Sequence, residues 1–288
     1  MLRTATNPQI GHVVAHKKLT VIRPANAQLS HTLAELWRRR RLVYVFVWRD
    51  VKVRYKQTLI GAAWTVLQPI LAMLVFTLVF GRLAKVPSGN VPYPVFVYCG
   101  LLPWQFFSQG LVRSSNSLVD NRYLLTKVYL PRTVLPLAAI LSGLPDFALS
   151  FVALLGLMAY YGIAPHASIL AVIPLLLLAI ATALGFGLFL SALNARYRDV
   201  GYTVPFFAQL WFFVTPVAYS ASLVPDRWRI LYGLNPMTGV VEGLRWALLG
   251  TGENVGNTAT AAALAVVILL ALGLLYFHRA QQTFADVI

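Results

Sequence analysis

Long apolar runs separated by short polar stretches dominate the chain from about residue 62 onward. Six of them approach the ~20 residues a helix needs to cross a hydrocarbon core of ~30 Å. They cover about 62–81, 95–112, 133–161, 168–192, 202–219 and 259–277. The second is expected to break near Pro103, and the third carries Pro136 and Pro145; prolines are tolerated where neighbouring helices re-satisfy the freed backbone groups. Upstream the pattern changes. Over residues 32–57, Leu33, Leu36, Trp37, Tyr44, Val47, Trp48, Val51 and Tyr55 return at three- and four-residue steps, while Arg38, Arg41, Arg49, Lys52 and Lys56 lie on another side. Thr32 and Glu35 have capping-box spacing. This predicts an amphipathic helix lying in the membrane interface, either as a lipid-facing anchor or as a docking surface. The stretch Leu42 to Trp48 is apolar all round and is expected to bed deeper or pack against spans. The chain thus divides into a polar tail (1–31), an interface helix (32–57) and a six-span body (58–288).

Two connections depart from simple loops. Between the fifth and sixth spans, Asn235-Pro236 reads as an N-cap followed by proline at the first helical position, and Gly250 is a natural stop. A helix of about 14 residues reaches only ~21 Å, too short to cross. Yet it is apolar apart from Glu242 and Arg245, which are three apart and placed to pair. A re-entrant helix fits better than one lying on the surface; it must be buried in protein or line a cavity, which points to a conduit. The connection over 113–132 mixes Asp120, Arg122 and Lys127 with Leu118, Tyr123, Leu124 and Leu125. It predicts a short amphipathic helix that presents apolar side chains to a cytosolic protein or rests on lipid.

Composition agrees: 58% of residues are hydrophobic and 11% charged, against about 25% charged in soluble domains. The net charge of +15 would suggest nucleic acid on a soluble protein; here it sets orientation. With the N-terminus inside, 19 of the 24 Lys and Arg residues fall on the inner side, so both termini are expected in the cytoplasm. The single cysteine, Cys99, excludes a disulfide framework. No GxxxxGK[ST] occurs, so the chain has no nucleotide-binding loop of its own. Asp146 is the one acidic group inside a span, about midway along the third; it must be protonated, paired or facing water. Trp211, Phe212 and Phe213, and Trp104, Phe106 and Phe107, lie too deep for interfacial belts; they suit either contact with sugar rings or core packing. Ala179, Ala183, Gly187, Ser191 and Ala195 form a small-residue stripe that lets another helix approach closely.

Several segments together carry a resemblance: WRDVKVRYKQTLIGAAWTVLQP at 48–69, GLLPWQFF at 100–107, LNARYRDV at 193–200, TPVAY at 215–219 and LNPMTGVVEGLRWALLG at 234–250. Over about 35–280 the chain resembles the membrane subunits (permeases) of ABC transporters that export O-antigen, capsule or teichoic acid. The resemblance implies a homodimer of six-span, all-α subunits in the inner membrane, paired with separate cytoplasmic ATPase subunits that hold the ATP and magnesium. It places an ATPase-coupling helix at Arg113, Leu118, Asp120, Arg122, Tyr123 and Lys127. A gate-like interface helix falls on Trp48, Arg49, Arg54, Tyr55 and Lys56, and outer re-entrant helices on Asn235, Pro236, Glu242 and Arg245. A channel lined by Trp104, Phe107, Phe207, Trp211 and Tyr219 would carry a lipid-linked glycan. Arg54 and Lys56, near the inner interface, suit the carrier diphosphate by their own chemistry, or else are solvated or lipid-facing charges. Alternatives are export of a drug or small lipid by a related permease, an ion-coupled transporter using Asp146, or a membrane-embedded transferase using His166 or Asp226.

Overall fold

A computed structural model describes residues 38–56, 61–127, 130–225, 228, 232–251 and 255–281. Within them the chain is helical, with no strand. The tail, the capping box at Thr32 and Glu35, and Asp226 lie outside the described residues. We number the helices α1 (Arg40–Lys56), α2 (Gly61–Phe76, continued by a π-helical turn Thr77–Leu83), α3 (Tyr93–Asp120), α4 (Arg122–Lys127) and α5 (Val134–Leu141). They continue as α6 (Leu144–Tyr160), α7 (Val172–Arg196), α8 (Val200–Val214), α9 (Pro236–Leu249) and α10 (Val255–Gln281).

The centre of the bundle is α3. Nineteen of its 28 residues are buried, and α2, α5, α6, α7, α8 and α9 all pack on it. It runs through the buried Pro103 without the expected break, because packed neighbours on every side leave continued helix as the way to satisfy its backbone. The third apolar run is instead the one that divides. Pro145 has no N–H to offer Leu141, four residues back, where α5 ends. Ser142 and Gly143 form the joint, and α6 starts afresh beyond it.

Five helices are long and apolar enough to cross a membrane among the described residues: Ala63–Leu83, Tyr93–Asp120, Val134–Tyr160, Ala167–Arg196 and Thr258–Gln281. The expected fifth crossing, 202–219, is represented by the 15-residue α8, about 22 Å long. It stops early because Thr215 precedes Pro216 and is driven into the extended region, φ −94° and ψ 135°. Tyr219 therefore lies beyond the helix. The small-residue stripe on α7 is buried along its length and faces α3: a Cβ on Gly187 would lie 2.3 Å from Ser114 Oγ. A second close approach joins α7 to α10, where a Cβ on Gly273 would lie 2.3 Å from the Gly185 carbonyl oxygen.

Candidate functional site

At the Tyr93 end of α3, α9 forms as its sequence predicts. Asn235 Oδ1 accepts from the Met237 amide at 3.1 Å, Pro236 opens the first turn, and Gly250 closes the helix at φ +67°. The Asn235 cap is itself held, accepting from Trp211 Nε1 at 3.2 Å and donating through Nδ2 to Thr215 Oγ1 at 3.0 Å. Eleven of the 14 residues are buried, so α9 is not a surface-lying helix. Burial in protein against α3, α7 and α10 satisfies the condition for a non-spanning apolar helix; within one protomer no conduit is needed to explain it.

Arg245 is 1% exposed and pairs with Glu242 at 2.9 Å, the expected i,i+3 contact. Its larger role is to hold the TPVAY segment. Nη1 donates to the Pro216 carbonyl at 2.7 Å and the Tyr219 carbonyl at 3.3 Å, and Nη2 to the Val217 carbonyl at 2.5 Å. The Tyr93 hydroxyl takes the remaining one, Ala218, at 2.6 Å. Four consecutive carbonyls in the segment that follows α8 are thus all paired, as buried backbone must be. The guanidinium lies 3.7 Å from the centroid of the Phe96 ring. Gly100 makes room: a Cβ there would lie 2.7 Å from Arg245 Nη2. His166 sits beside Gly250, its backbone N–H donating to the Leu248 carbonyl at 3.0 Å and its Nδ1 held by Ser168. It caps the turn Ala167–Ala171.

Twenty residues from Tyr93, about 30 Å along the helix, α3 reaches Arg113. Here Asp146 belongs to the first turn of α6, just past the α5–α6 joint and near the middle of the Val134–Tyr160 crossing, as its place in the sequence predicts. It is paired. Arg54 Nη1 and the Tyr55 hydroxyl donate to its two carboxylate oxygens, and Arg113 Nη1 stands 3.7 Å away. Arg54 also donates to the Ser142 carbonyl at 3.2 Å and Ser142 Oγ at 3.1 Å. Burial and the Asp146 carboxylate push the Tyr55 phenol above its ordinary value, which keeps it a donor. The end of α1 is thereby pinned to the α5–α6 joint. Engagement of Arg54 by Asp146 and Ser142 leaves Lys56, which is exposed, as the member of that pair open to a phosphate.

The face that α1 turns to the protein includes Leu42, Phe46, Val47, Asp50 and Arg54, while Tyr44, Trp48, Lys52, Val53 and Lys56 are exposed. Aromatic and basic residues therefore share the outer face, against the separation that their spacing suggests, and Lys52 Nζ sits 5.5 Å from the Trp48 ring. Arg49 pairs with Asp50 at 2.8 Å.

The region 113–132 is not one loop. α3 continues to Asp120, and only α4 is the short helix expected there. Asp120, Arg122, Tyr123 and Lys127 are exposed at this tip, with Lys127 bonded to the Tyr123 hydroxyl. Leu118 is fully buried, packed with Leu130, Leu188 and Phe277. It supports the tip from beneath and presents nothing to a partner. Arg113 lies two helical turns away, in the Asp146 cluster.

The deep aromatics divide. Trp104 and Phe107 are core residues: Phe107 meets Trp211 at 5.2 Å and Trp104 meets Phe212 at 5.7 Å between ring centroids. Trp211 is partly exposed and reaches Phe186 at 4.8 Å. Phe207 is 64% exposed on α8. Tyr219 is partly exposed and bonded to the Tyr232 hydroxyl.

One constellation escaped the sequence reading. Asn194, buried near the end of α7, donates to the Ser115 carbonyl at 3.0 Å and to Asn116 Oδ1 at 2.9 Å, and accepts from the Gly201 amide at 3.0 Å. It ties the α7–α8 turn to α3. The available signal was an amide at the end of an apolar run, within the LNARYRDV segment.

The pattern of the ABC-2 type transporter family matches residues 41–249. The chain is 34% identical over 257 residues to the O-antigen export system permease protein RfbA of Myxococcus xanthus, covering 88% of this chain and 97% of that one. It is 27% identical to an RfbA of Klebsiella pneumoniae, over 86% of this chain and 95% of that one. To the polysialic acid transport protein KpsM of Escherichia coli it is 22% identical, over 81% and 91% respectively.

Proposed function

The chain belongs to the ABC-2 type transporter family, and we propose that it is the channel-forming membrane subunit of an exporter that moves lipid-linked polysaccharide outward across the bacterial inner membrane. The observation that carries this reading is the near full-length similarity to O-antigen export permeases. In the proposal two copies of this multi-pass chain pair with two separate ATPase subunits, which hold ATP and magnesium. In this reading the Arg113 end of α3 faces the cytoplasm and both termini lie on that side, a placement that the excess of Lys and Arg there supports.

The tip at Asp120, Arg122, Tyr123 and Lys127 is the site where the ATPase docks. Closure of the ATPase on ATP pushes α4 and the exposed face of α1. Motion of α1 reaches the α5–α6 joint through Arg54, Tyr55 and Asp146, while the Arg245 lock holds α9 and the 215–219 segment at the outer end. Phe207, Trp211 and Tyr219 supply aromatic faces for sugar rings. The exposed apolar side of α8 and the face of α2 carrying Trp64, Leu67 and Leu71 meet lipid or the second copy.

The test is co-purification of the full chain with a candidate ATP-binding cassette subunit, followed by ATP hydrolysis and glycan transport in reconstituted vesicles. Glycan movement that stops when the ATPase glutamate is neutralised supports the reading. Transport by this chain alone, or of a drug but not a glycan, overturns it.

A further inference from the structure

A cleft of about 450 Å³ opens between α3 and α8, lined by Trp104, Ser108, Gln109 and Arg113 on one side and Pro205 and Gln209 on the other. Among apolar neighbours it gathers a hydroxyl, two amides and a guanidinium. Ser108 spends its hydroxyl on the Gln105 carbonyl at 3.3 Å. Among the described residues, neither the Gln109 nor the Gln209 side-chain amide has a hydrogen-bond partner. Both line the cleft and neither is enclosed, so a ligand entering it can reach them.

Arg113 closes the inner end of the cleft. It is three-quarters buried, and its Nε is buried without a partner. Among the described residues its one ion pair is the 3.7 Å approach to Asp146, a carboxylate that Arg54 and Tyr55 already occupy. Two guanidinium groups therefore face one carboxylate. Asp50, in the adjoining groove, is taken by Arg49, and Asp120 lies two turns further along α3, about 10 Å away. One positive charge is left over beside the two amides. That set is complementary to a phosphate ester joined to a sugar: guanidinium for phosphate oxygens and amides for hydroxyls.

We propose that the α3–α8 cleft binds the junction of a diphosphate-linked saccharide, with Arg113 holding the phosphate and Gln109 and Gln209 holding the first sugar. This rests on the exporter reading and adds a site to it. Asp146 acts as a positioning residue, setting the Arg113 side chain through the shared cluster.

The probe is farnesyl diphosphate carrying one N-acetylglucosamine, titrated calorimetrically into the full chain with its ATPase in phosphatidylcholine nanodiscs; plain farnesyl diphosphate is the comparison. Arg113→Gln is expected to weaken both probes by roughly tenfold to a hundredfold, the loss of a charge-assisted contact, and Arg113→Lys by less. Gln109→Leu and Gln209→Leu are expected to weaken only the glycosylated probe. Unchanged affinity in a folded Arg113→Gln protein overturns the proposal. So does an equal effect of the glutamine variants on both probes, which would make them packing residues or contacts to a second copy. Displacement of the probe by phosphatidylglycerol also overturns it, since the charge would then serve lipid headgroups generally. Because the ATPase co-purifies or fails to do so independently of probe binding, failure of the cleft and failure of the exporter reading are separate results.

Discussion

Replacing Arg245 by methionine removes the one side chain that joins α9, the 215–219 segment and α3. The substitution keeps an apolar stem against Phe96 but strips the donors from the Pro216, Val217 and Tyr219 carbonyls and from Glu242. Breaking a buried ion pair from one side costs about 3–5 kcal/mol, and the stranded carbonyls place the loss toward the top of that range. Glu242→Gln is the informative comparison. Arg245 then keeps its three carbonyl acceptors, and Glu242 is the more exposed partner, 13% against 1%. Its cost is expected to be about 1–2 kcal/mol. The double variant should lose less than the sum of the two, because no orphan carboxylate remains to be buried. The assay is reversible unfolding in mixed micelles followed by tryptophan fluorescence. An Arg245→Met protein within 1 kcal/mol of the parent would refute the lock, and so would a Glu242→Gln protein as damaged as Arg245→Met.

Gly273→Ala should cost about 1–3 kcal/mol, because the new Cβ would meet the Gly185 carbonyl, which is backbone and cannot rotate away. Gly156→Ala is the control, with nothing within 4 Å of its Cβ; helix propensity predicts unchanged or slightly raised stability in the same unfolding experiment. Asp146→Asn should leave Arg54 and Arg113 without their carboxylate and speed hydrogen exchange across α1 by about tenfold or more, with the spans unaffected. If it instead abolishes proton-driven uptake that needs no ATPase, Asp146 is a coupling residue. Asn194→Ala orphans two acceptors and the Gly201 amide and should cost about 2–3 kcal/mol, read in the unfolding assay.

Local rules carried far in this chain where one segment contains its own cause. Asn235, Pro236 and Gly250 cap α9 because a cap is decided within a few residues, and the Glu242–Arg245 pair follows from helical spacing alone. The stripe from Ala179 to Ala195 announces a close neighbour, since small side chains on one face have no other use in a membrane. It does not say which neighbour: only the structure assigns it to α3 and adds the Gly185–Gly273 approach to α10. Breaks were misplaced for a related reason. Pro103 and Pro145 look alike in sequence, but Pro103 is surrounded by packed helices, whereas Pro145 coincides with the joint at Ser142 and Gly143.

What is spread along the chain was not legible. Asp146 reads as a lone mid-span carboxylate because its partners, Arg54, Tyr55 and Arg113, come from two other helices, up to 92 residues away in the chain. Once that cluster is assembled, its charge does not balance, and the imbalance turns a structural feature into a functional one. A buried pair can be explained by stability alone. A second guanidinium pressed against an already satisfied carboxylate cannot, since removing it would relieve repulsion and a burial cost together. Arg113 is therefore better explained by something that enters than by anything already packed around it.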